Sequence, residues 1–587
     1  IFTLDGMEGR MFKPMAFTVV TAVLGSLLLA LTYVPAISRW LLHHNHNAKP
    51  GKFFPRISAW YTRGLDWSLA HGGPVVAAAA LMVVLAVTSL AWIGTEFMPK
   101  LDEGSILITT RRMPSISLSD ATRLSTQAEQ IVRGFPEVET VVTKEGRPDL
   151  ATEAMGLFEG DMYIILKPQS AWKNARNSEE LVTQLDSALA VIPGLEIAFT
   201  QPLAMRLDEA ESGIRTDLGV KVVSPDINRN QRVAEQILAV ITRVAGNADA
   251  SVEVSEGSGQ IAITVNRDAL AQYGLPVSDV QEALELASGS RVATELIDGP
   301  RRIGIVARYP DDQRGDIGAL QAITIRTPSG ALIPLSAVAQ LTLTTGPELI
   351  GHEDGQRRAL VLSNVRGRDL GGFVAEVQAR VARDVTLPPG TFLEWGGQYE
   401  NQQRAMGRLA VVVPGALLLI AGLLYALFRS VSQSLLVLLN VPFALVGGIA
   451  VLWLRGLNLN LSASIGFIAL FGIAVLNGVV MVSYMNQLRQ RGVSIPDAVR
   501  RGASDRLRPV LMTALVASLG FVPMALSHSP GSEVQRPLAS VVIGGLITST
   551  LLTLFVLPTL YLALSQWQER RARQASGATL RADVLPG

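Results

Sequence analysis

Seven stretches of this chain are apolar for about 20 residues at a time, the length needed to cross the hydrocarbon of a bilayer as a helix. They are Met15–Ile37, Pro74–Ile93, Leu409–Phe428, Leu435–Leu454, Ile465–Tyr484, Val510–Leu526 and Leu538–Leu564. A long insert, residues 95–405, separates the second from the third. The fourth stretch carries Gly447-Gly448 and the fifth Gly466, Gly472 and Gly478, small residues that let helices approach closely in lipid. Basic residues gather in the 38–73 loop (Arg39, Lys49, Lys52, Arg56, Arg63), in the 485–509 loop (Arg489, Arg491, Arg500, Arg501, Arg506, Arg508) and in the tail (Arg570, Arg571, Arg573). The connections at 455–464 and 527–537 hold one Arg each, Arg455 and Arg536. By the positive-inside rule the Arg-rich segments face the cytoplasm. The insert then lies outside, in the periplasm of a Gram-negative cell. Seven spans and an inside C-terminus place Ile1 outside, with no signal-peptide pattern before the first span. The expectation is that an N-terminal half precedes Ile1.

Within the insert the hydrophobic period switches between that of a strand and that of a helix. Ser105–Thr110, Val138–Thr143, Met162–Leu166 and Leu195–Thr200 read as strands, with helices over Ser117–Gly134 and Ser178–Val191. That order, β-α-β-β-α-β, is ferredoxin-like. A second round begins at Leu218–Val223 and helix Asn230–Ala245, followed by strands Ser251–Val254 and Ile261–Val265. It resumes with strand Ala359–Asn364, helix Gly372–Asp384 and strand Thr391–Trp395. The interruption, from about 277 to 350, contains a hairpin turn at Thr327–Pro334. The predicted fold class is an α-helical membrane protein with seven transmembrane helices and a large α+β periplasmic domain of ferredoxin-like βαββαβ subdomains.

Composition supports this and narrows the chemistry. The 587 residues are 49% hydrophobic and only 17% charged, outside the soluble norm. A formal net charge of +1 gives no whole-chain case for nucleic acid binding. With no Cys, disulfides, thiolate metal sites and catalytic thiols are excluded. No phosphate-binding Walker run, His-Glu-x-x-His or Gly-x-Ser-x-Gly occurs, so the chain reads as neither an ATPase nor an enzyme with a familiar catalytic motif.

Four motifs, in order, carry a resemblance. They are Gly94-Thr95-Glu96-Phe97-Met98-Pro99-Lys100-Leu101-Asp102-Glu103-Gly104, Val441-Pro442-Phe443-Ala444-Leu445-Val446-Gly447-Gly448, Arg506-Leu507-Arg508-Pro509-Val510-Leu511-Met512-Thr513-Ala514 and Gly531-Ser532-Glu533-Val534-Gln535-Arg536-Pro537-Leu538-Ala539. The chain resembles the resistance–nodulation–division transporters, most of all their heavy-metal efflux branch of the cobalt–zinc–cadmium type. The resemblance implies the C-terminal half of such a protein: the sixth to twelfth spans and the second periplasmic loop. It implies a secondary active transporter of the Gram-negative inner membrane, a homotrimer when full length. It also implies a periplasmic adaptor, an outer-membrane channel, exchange of protons for cargo, and no cofactor. The implied domains are a transmembrane helix over 1–37, a cytoplasmic loop over 38–73 and a second transmembrane helix over 74–94. A porter subdomain follows over 95–216, then a second over 217–276 and 351–405, interrupted by a docking subdomain over 277–350. A five-helix bundle over 406–566 and a cytoplasmic tail over 567–587 complete the chain.

In the copper and silver members of that family three Met residues hold the cargo. The matching positions here are Met113, Glu159 and Glu209. Thioether sulfur suits Cu(I), whereas carboxylate oxygen suits Zn²⁺, Co²⁺, Ni²⁺ or Cd²⁺. Asp161, Asp208 and Glu211 lie beside them. The candidate ion site is therefore Glu159, Glu209, Asp161 and Asp208, with Met113. The competing reading makes these acids solvated loop charge and Met113 a packing residue, with Glu211 capping a helix or pairing with Arg215. The His43-His44-Asn45-His46 tract reads as a solvated turn or a metal sensor.

Proton exchange needs ionisable groups between spans. The five C-terminal spans hold no Asp, Glu or Lys. Where the copper members have an acid and a Lys, this chain has Leu476 and Val510. The resemblance places the proton-carrying acids on the fourth span of the family, outside this chain, with Asn477 as either their hydrogen-bond partner or helix–helix glue. Two other functions fit the same pattern: an exporter of hydrophobic drugs, whose pocket would be aromatic, and a membrane-tethered binding or assembly module that transports nothing.

Overall fold

The computed structural model describes residues 2, 6–41, 53–99, 102–146, 155–253, 257–289, 291–310, 315–347, 349–527, 529 and 531–582. The His43–His46 tract, His528 and the side chain of Glu211 lie outside the described residues.

Among those residues seven helices are long and apolar enough to cross a membrane. The first two end short of their expected windows, at Leu31, where a separate helix Tyr33–Leu41 follows, and at Ser89, whereas later ones run past theirs, because a charged residue ends hydrophobicity without ending a helix. Arg489 thus sits in the last turn of the helix Leu461–Gln490, and Arg500, Arg501, Arg506 and Arg508 ride on the first turns of Ile495–Leu526. The expected 485–509 loop shrinks to the few residues between these ends. The expected 38–73 loop likewise contains a helix, Phe53–Ala70. Its Tyr61 and Leu65 are buried in the bundle core, and the Tyr61 hydroxyl donates to the Leu554 carbonyl at 2.9 Å.

The helix Ser532–Ala582 runs through the middle of the bundle, and its membrane window is 72% buried. Glycine makes this possible. A methyl on Gly447 would stand 2.1 Å from the Gly544 carbonyl oxygen, and one on Gly545 2.8 Å from that of Ala444. The two backbones therefore touch, so neither helix has room for a side chain there.

The insert begins with four strands: β1 (Ser105–Arg111), β2 (Val138–Glu145), β3 (Glu159–Leu166) and β4 (Glu196–Thr200). They form one antiparallel sheet in the order β2-β3-β1-β4. Ile106, Ile108, Met162 and Ile164 point to one face, where Ala128, Val132, Leu181 and Leu185 of two helices cover them. Strand alternation then sends Thr109, Arg111, Glu159 and Asp161 to the other face. The chain continues through β5 (Leu218–Val223) and β6 (Asn247–Val252).

Strand β7 (Ser258–Val265) departs from expectation. It was assigned to the second sheet, but it leaves that sheet for the interruption. There it stands beside the exposed hairpin β8 (Val292–Asp298) and β9 (Arg301–Val306), the short pair β10 (Thr324–Arg326) and β11 (Leu332–Pro334), and β12 (Ala339–Gly346). Strand β7 pairs along its whole length with β12, and Leu270 and Leu275 just after it share a core with Ile323, Val338 and Leu341. The interruption thus starts near residue 257, before the expected 277. Periodicity showed a strand but could not say which partner it takes. The second sheet is completed by β14 (Gln356–Val365), preceded by the two-residue β13 (His352–Glu353), and by β15 (Phe392–Gly396). Its strand order β6-β14-β5-β15 repeats that of the first.

A short joint fastens the insert to the bundle. Glu96 accepts hydrogen bonds from the side-chain amides of Asn458 and Asn460, each at 3.0 Å, at the turn between two membrane helices. Next to it, Thr95 donates its backbone N–H to Asp369, which caps the helix Leu370–Asp384 of the second unit. Gly371 has no room for a side chain, since a methyl would meet the Thr95 hydroxyl at 2.0 Å.

The helix contact at Gly447 gives a direct test. Gly447→Ala forces a methyl into a backbone oxygen and is expected to lower the melting midpoint of the detergent-solubilised protein, by a cost of about 1–3 kcal/mol. Gly422→Ala, where nothing lies within 4 Å, is expected to leave the midpoint unchanged or raise it. Equal shifts in a thermal scan would contradict the packing described.

Candidate functional site

The free face of the first sheet and the edge of the second enclose a cleft of ≈ 640 Å³. Glu159 reaches it from β3, and Glu209 from the last turn of the helix Pro202–Ser212. The competing reading made both acids loop charge, but both stand on regular elements. The acidic motif at residues 102–104 helps to place the second. The Glu103 carboxylate accepts the backbone N–H groups of Leu203 and Ala204 at 2.8 and 2.9 Å, fixing the start of the helix that ends at Glu209.

The acids do not stand alone. Arg111 donates to Glu159 at 3.0 Å and to Ser251 of β6 at 3.2 Å, so it bridges the two units. Arg215 pairs with Glu209 at 2.9 Å and approaches Asp161 at 3.9 Å. Lys144 lies 3.5 Å from Asp161. Arg215 thus goes to Glu209 and Asp161. Burial alone would lower its pKa, but the charges of Glu209 and Asp161 more than offset this and hold the guanidinium protonated. Carboxylates and cations interleave, and among the described residues no three of His, Asp and Glu form a ready coordination set.

Asp161 is the most constrained member. It is 0% exposed and shares a face of β3 with Glu159, opposite Thr109 of β1. Its contacts are long: the Thr109 hydroxyl at 3.4 Å, Lys144 at 3.5 Å and Arg215 at 3.9 Å. Charge-assisted bonds to a carboxylate are usually about 2.7–2.9 Å. Its Oδ2 accepts no hydrogen bond.

Two expected site residues lie elsewhere. Asp208 is buried, turned away from the cleft lining, and accepts a hydrogen bond from Gln398 at 3.2 Å, at the start of the membrane helix Gln398–Phe428. Successive helix residues point about 100° apart, and here Asp208 turns to Gln398 while Glu209 turns to the cleft and Arg215. Met113 is 68% exposed and does not line the cleft. In the bundle, Asn477 is buried, its Oδ1 accepting from the Thr513 hydroxyl at 3.1 Å while its Nδ2 has no hydrogen-bond partner.

Other cleft residues escaped sequence reasoning. His352, Glu253 and Arg358 line the opposite wall, where Arg358 donates to Glu253 at 2.9 Å. His352 stands alone among histidines in its segment, and strand β13 of the second sheet brings it to the cleft. Asp249 closes the seam between the sheets. It accepts from the Phe199 backbone N–H of β4 at 3.3 Å, from Asn364 at 3.1 Å and from Arg366 at 2.5 Å. Its backbone is left-handed, with φ 53°.

Comparison with known proteins matches residues 1–565 to the AcrB/AcrD/AcrF family. The chain is 43% identical over 568 residues to the cobalt-zinc-cadmium resistance protein CzcA of Cupriavidus metallidurans, covering 96% of this chain and 53% of that one. It is 40% identical to the nickel and cobalt resistance protein CnrA of the same organism, covering 95% of this chain and 52% of that one. It is 34% identical to the cation efflux system protein CusA of Escherichia coli, covering 96% and 55%. An X-ray structure of a heavy metal efflux pump superposes with a TM-score of 0.84 at 37% identity, over 96% of this chain and 56% of that one. The chain spans about half the length of the curated relatives it matches.

The Asp249 seam can be tested by pH. Burial raises the Asp249 carboxyl above its ordinary value, against the pull of Arg366, Asn364 and the Phe199 N–H. A raised carboxyl contributes stability that is full below its unfolded pKa and is lost as pH rises through its folded pKa. Asp249→Asn, a residue that also tolerates the left-handed backbone, removes this dependence. The variant is expected to lose less thermal stability than the parent as pH rises above about 4. Parallel pH profiles would contradict the assignment.

Proposed function

The chain belongs to the AcrB/AcrD/AcrF family, and from that membership we propose that it is the cleft-bearing part of a proton-driven exporter of divalent heavy-metal cations. The observation that carries the reading is the convergence of Glu159 and Glu209 on one cleft from separate elements. Carboxylate oxygen with an imidazole is a donor set for Zn²⁺, Co²⁺, Ni²⁺ or Cd²⁺, and His352 on the facing wall supplies the imidazole. Asp161 stands behind as a third carboxylate. Asp208 belongs to the joint with Gln398, and Met113 takes no part in this cleft. The metal is cargo, and no cofactor enters.

The repeated βαββαβ order in both units supports their reading as ferredoxin-like porter subdomains outside the inner membrane, in the periplasm. The charged lining, with Phe158 and Phe199 as its Phe residues, favours a cation over a hydrophobic drug. A binding module that transports nothing would hold metal without moving it. In this reading protons pass through acids outside this chain, and the free Nδ2 of Asn477 is the donor that meets one of them. Partners follow from the same reading: a periplasmic adaptor, an outer-membrane channel, and two further copies. The β8–β9 hairpin supports self-association, because it is exposed on both faces and carries Ile297, Ile303 and Ile305.

Two outcomes test the reading in the full-length protein. Glu159→Ala combined with Glu209→Ala is expected to abolish divalent-metal resistance while the trimer persists in size-exclusion chromatography. Full resistance in that double variant would refute the site. Replacing Ile297, Ile303 and Ile305 together with Ser is expected to shift the detergent-solubilised protein from trimer to monomer by light scattering, and an unchanged mass would count against the hairpin's role.

A further inference from the structure

Arg215 is placed where a cargo cation would go. It lies on the linker between the two units, after the Gly213 helix cap and before β5, and its side chain is about one quarter exposed, at 24%. One side chain addresses two acids from different elements: Glu209 at 2.9 Å through Nη2 and Asp161 at 3.9 Å through Nη1. Glu159 adds to the negative field around it. The other cations at the cluster are Arg111 on Glu159, Lys144 beside Asp161, and Arg206 at 3.4 Å from Glu209. The three carboxylates Glu159, Asp161 and Glu209 are thus already matched by positive charge.

A divalent ion cannot simply be added to such a cluster. Its two charges must replace existing positive charge, or the site is left with a surplus in a poorly solvated place. Withdrawing the Arg215 guanidinium vacates Glu209 and Asp161 together, two carboxylates whose charge matches one divalent ion. Asp161 is suited to the exchange, because it is fully buried, held only by long contacts, and its Oδ2 accepts no hydrogen bond. Gly213, left-handed at φ 66°, caps the helix that carries Glu209 and starts the linker that carries Arg215.

We propose that Arg215 is a tethered competitor for the cargo: its guanidinium holds Glu209 and Asp161 when no cation is bound, and a divalent ion binds only by displacing it. Arg215 then sets how tightly cargo is held, and its return to the acids expels the ion. This rests on the reading that the cleft takes divalent cations.

The test uses purified full-length protein and Co²⁺ as the probe, with isothermal titration for affinity and visible absorption for coordination. Arg215→Gln is expected to bind Co²⁺ about tenfold tighter than the parent. It is also expected to release Co²⁺ more slowly, with d–d bands that report carboxylate and imidazole ligation. Affinity equal to or weaker than the parent overturns the proposal. Should Arg215→Gln fail to assemble, Arg215→Lys keeps the charge but cannot span two carboxylates, and several-fold tighter binding is expected; unchanged affinity overturns the proposal. Glu159→Gln and Glu209→Gln separate the two levels. If they leave Co²⁺ binding untouched, the cation-site reading falls and takes the competitor role with it. If they abolish binding while Arg215→Gln leaves it unchanged, only the competitor role falls.

Discussion

A buried carboxylate must be compensated, and the cleft is organised around that requirement at Asp161. The side chain is out of water on the face of a sheet, and no single partner holds it closely. Cations reach it from a neighbouring strand and from the linker. Strand alternation makes this possible. At the end of β1, Arg111 turns toward the cleft, and Arg112, the residue just past the strand, forms a two-pronged pair with Glu145 at 2.8 and 3.0 Å.

The cleft is also tied to the membrane helices through few, specific polar contacts. Glu103 starts the helix that presents Glu209, and Asp208 on that helix meets Gln398 at the start of a membrane helix. On the other side, Glu96 and Thr95 connect the turn at Asn458–Asn460 to the capped helix of the second unit. The wall at Asp249 works in the same way: two sheet edges meet through one left-handed residue and its side chain, without forming a continuous ladder.

The apolar windows and the alternation of Ile106, Ile108, Met162 and Ile164 made the membrane helices and the first unit readable from sequence. Both are set by local period, which a sequence displays directly. What remained hidden was set by partner choice. Strand β7 has the right period for either sheet, and only its pairing with β12 decides between them. Glu159 and Glu209 were singled out because the family resemblance sets them beside its cargo positions, and both line the cleft. Asp208 was grouped with Glu209 by adjacency, although helix geometry sends them to different neighbours. His352 and Arg358 come from the far side of the interruption, and no local signal connects them to the cleft. The opposing cations at Arg111, Lys144 and Arg215 were equally invisible as a set, since each looks like an ordinary surface charge in its own segment.

The most direct measurement is anomalous diffraction from crystals of the full-length protein soaked in Zn²⁺ and recorded at the zinc edge. The account predicts a peak in the cleft within about 2.0–2.2 Å of carboxylate oxygens of Glu159 and Glu209, with the Arg215 guanidinium moved off Glu209. A cleft without a peak, with Arg215 still seated on Glu209 while zinc binds elsewhere in the same protomer, would contradict it.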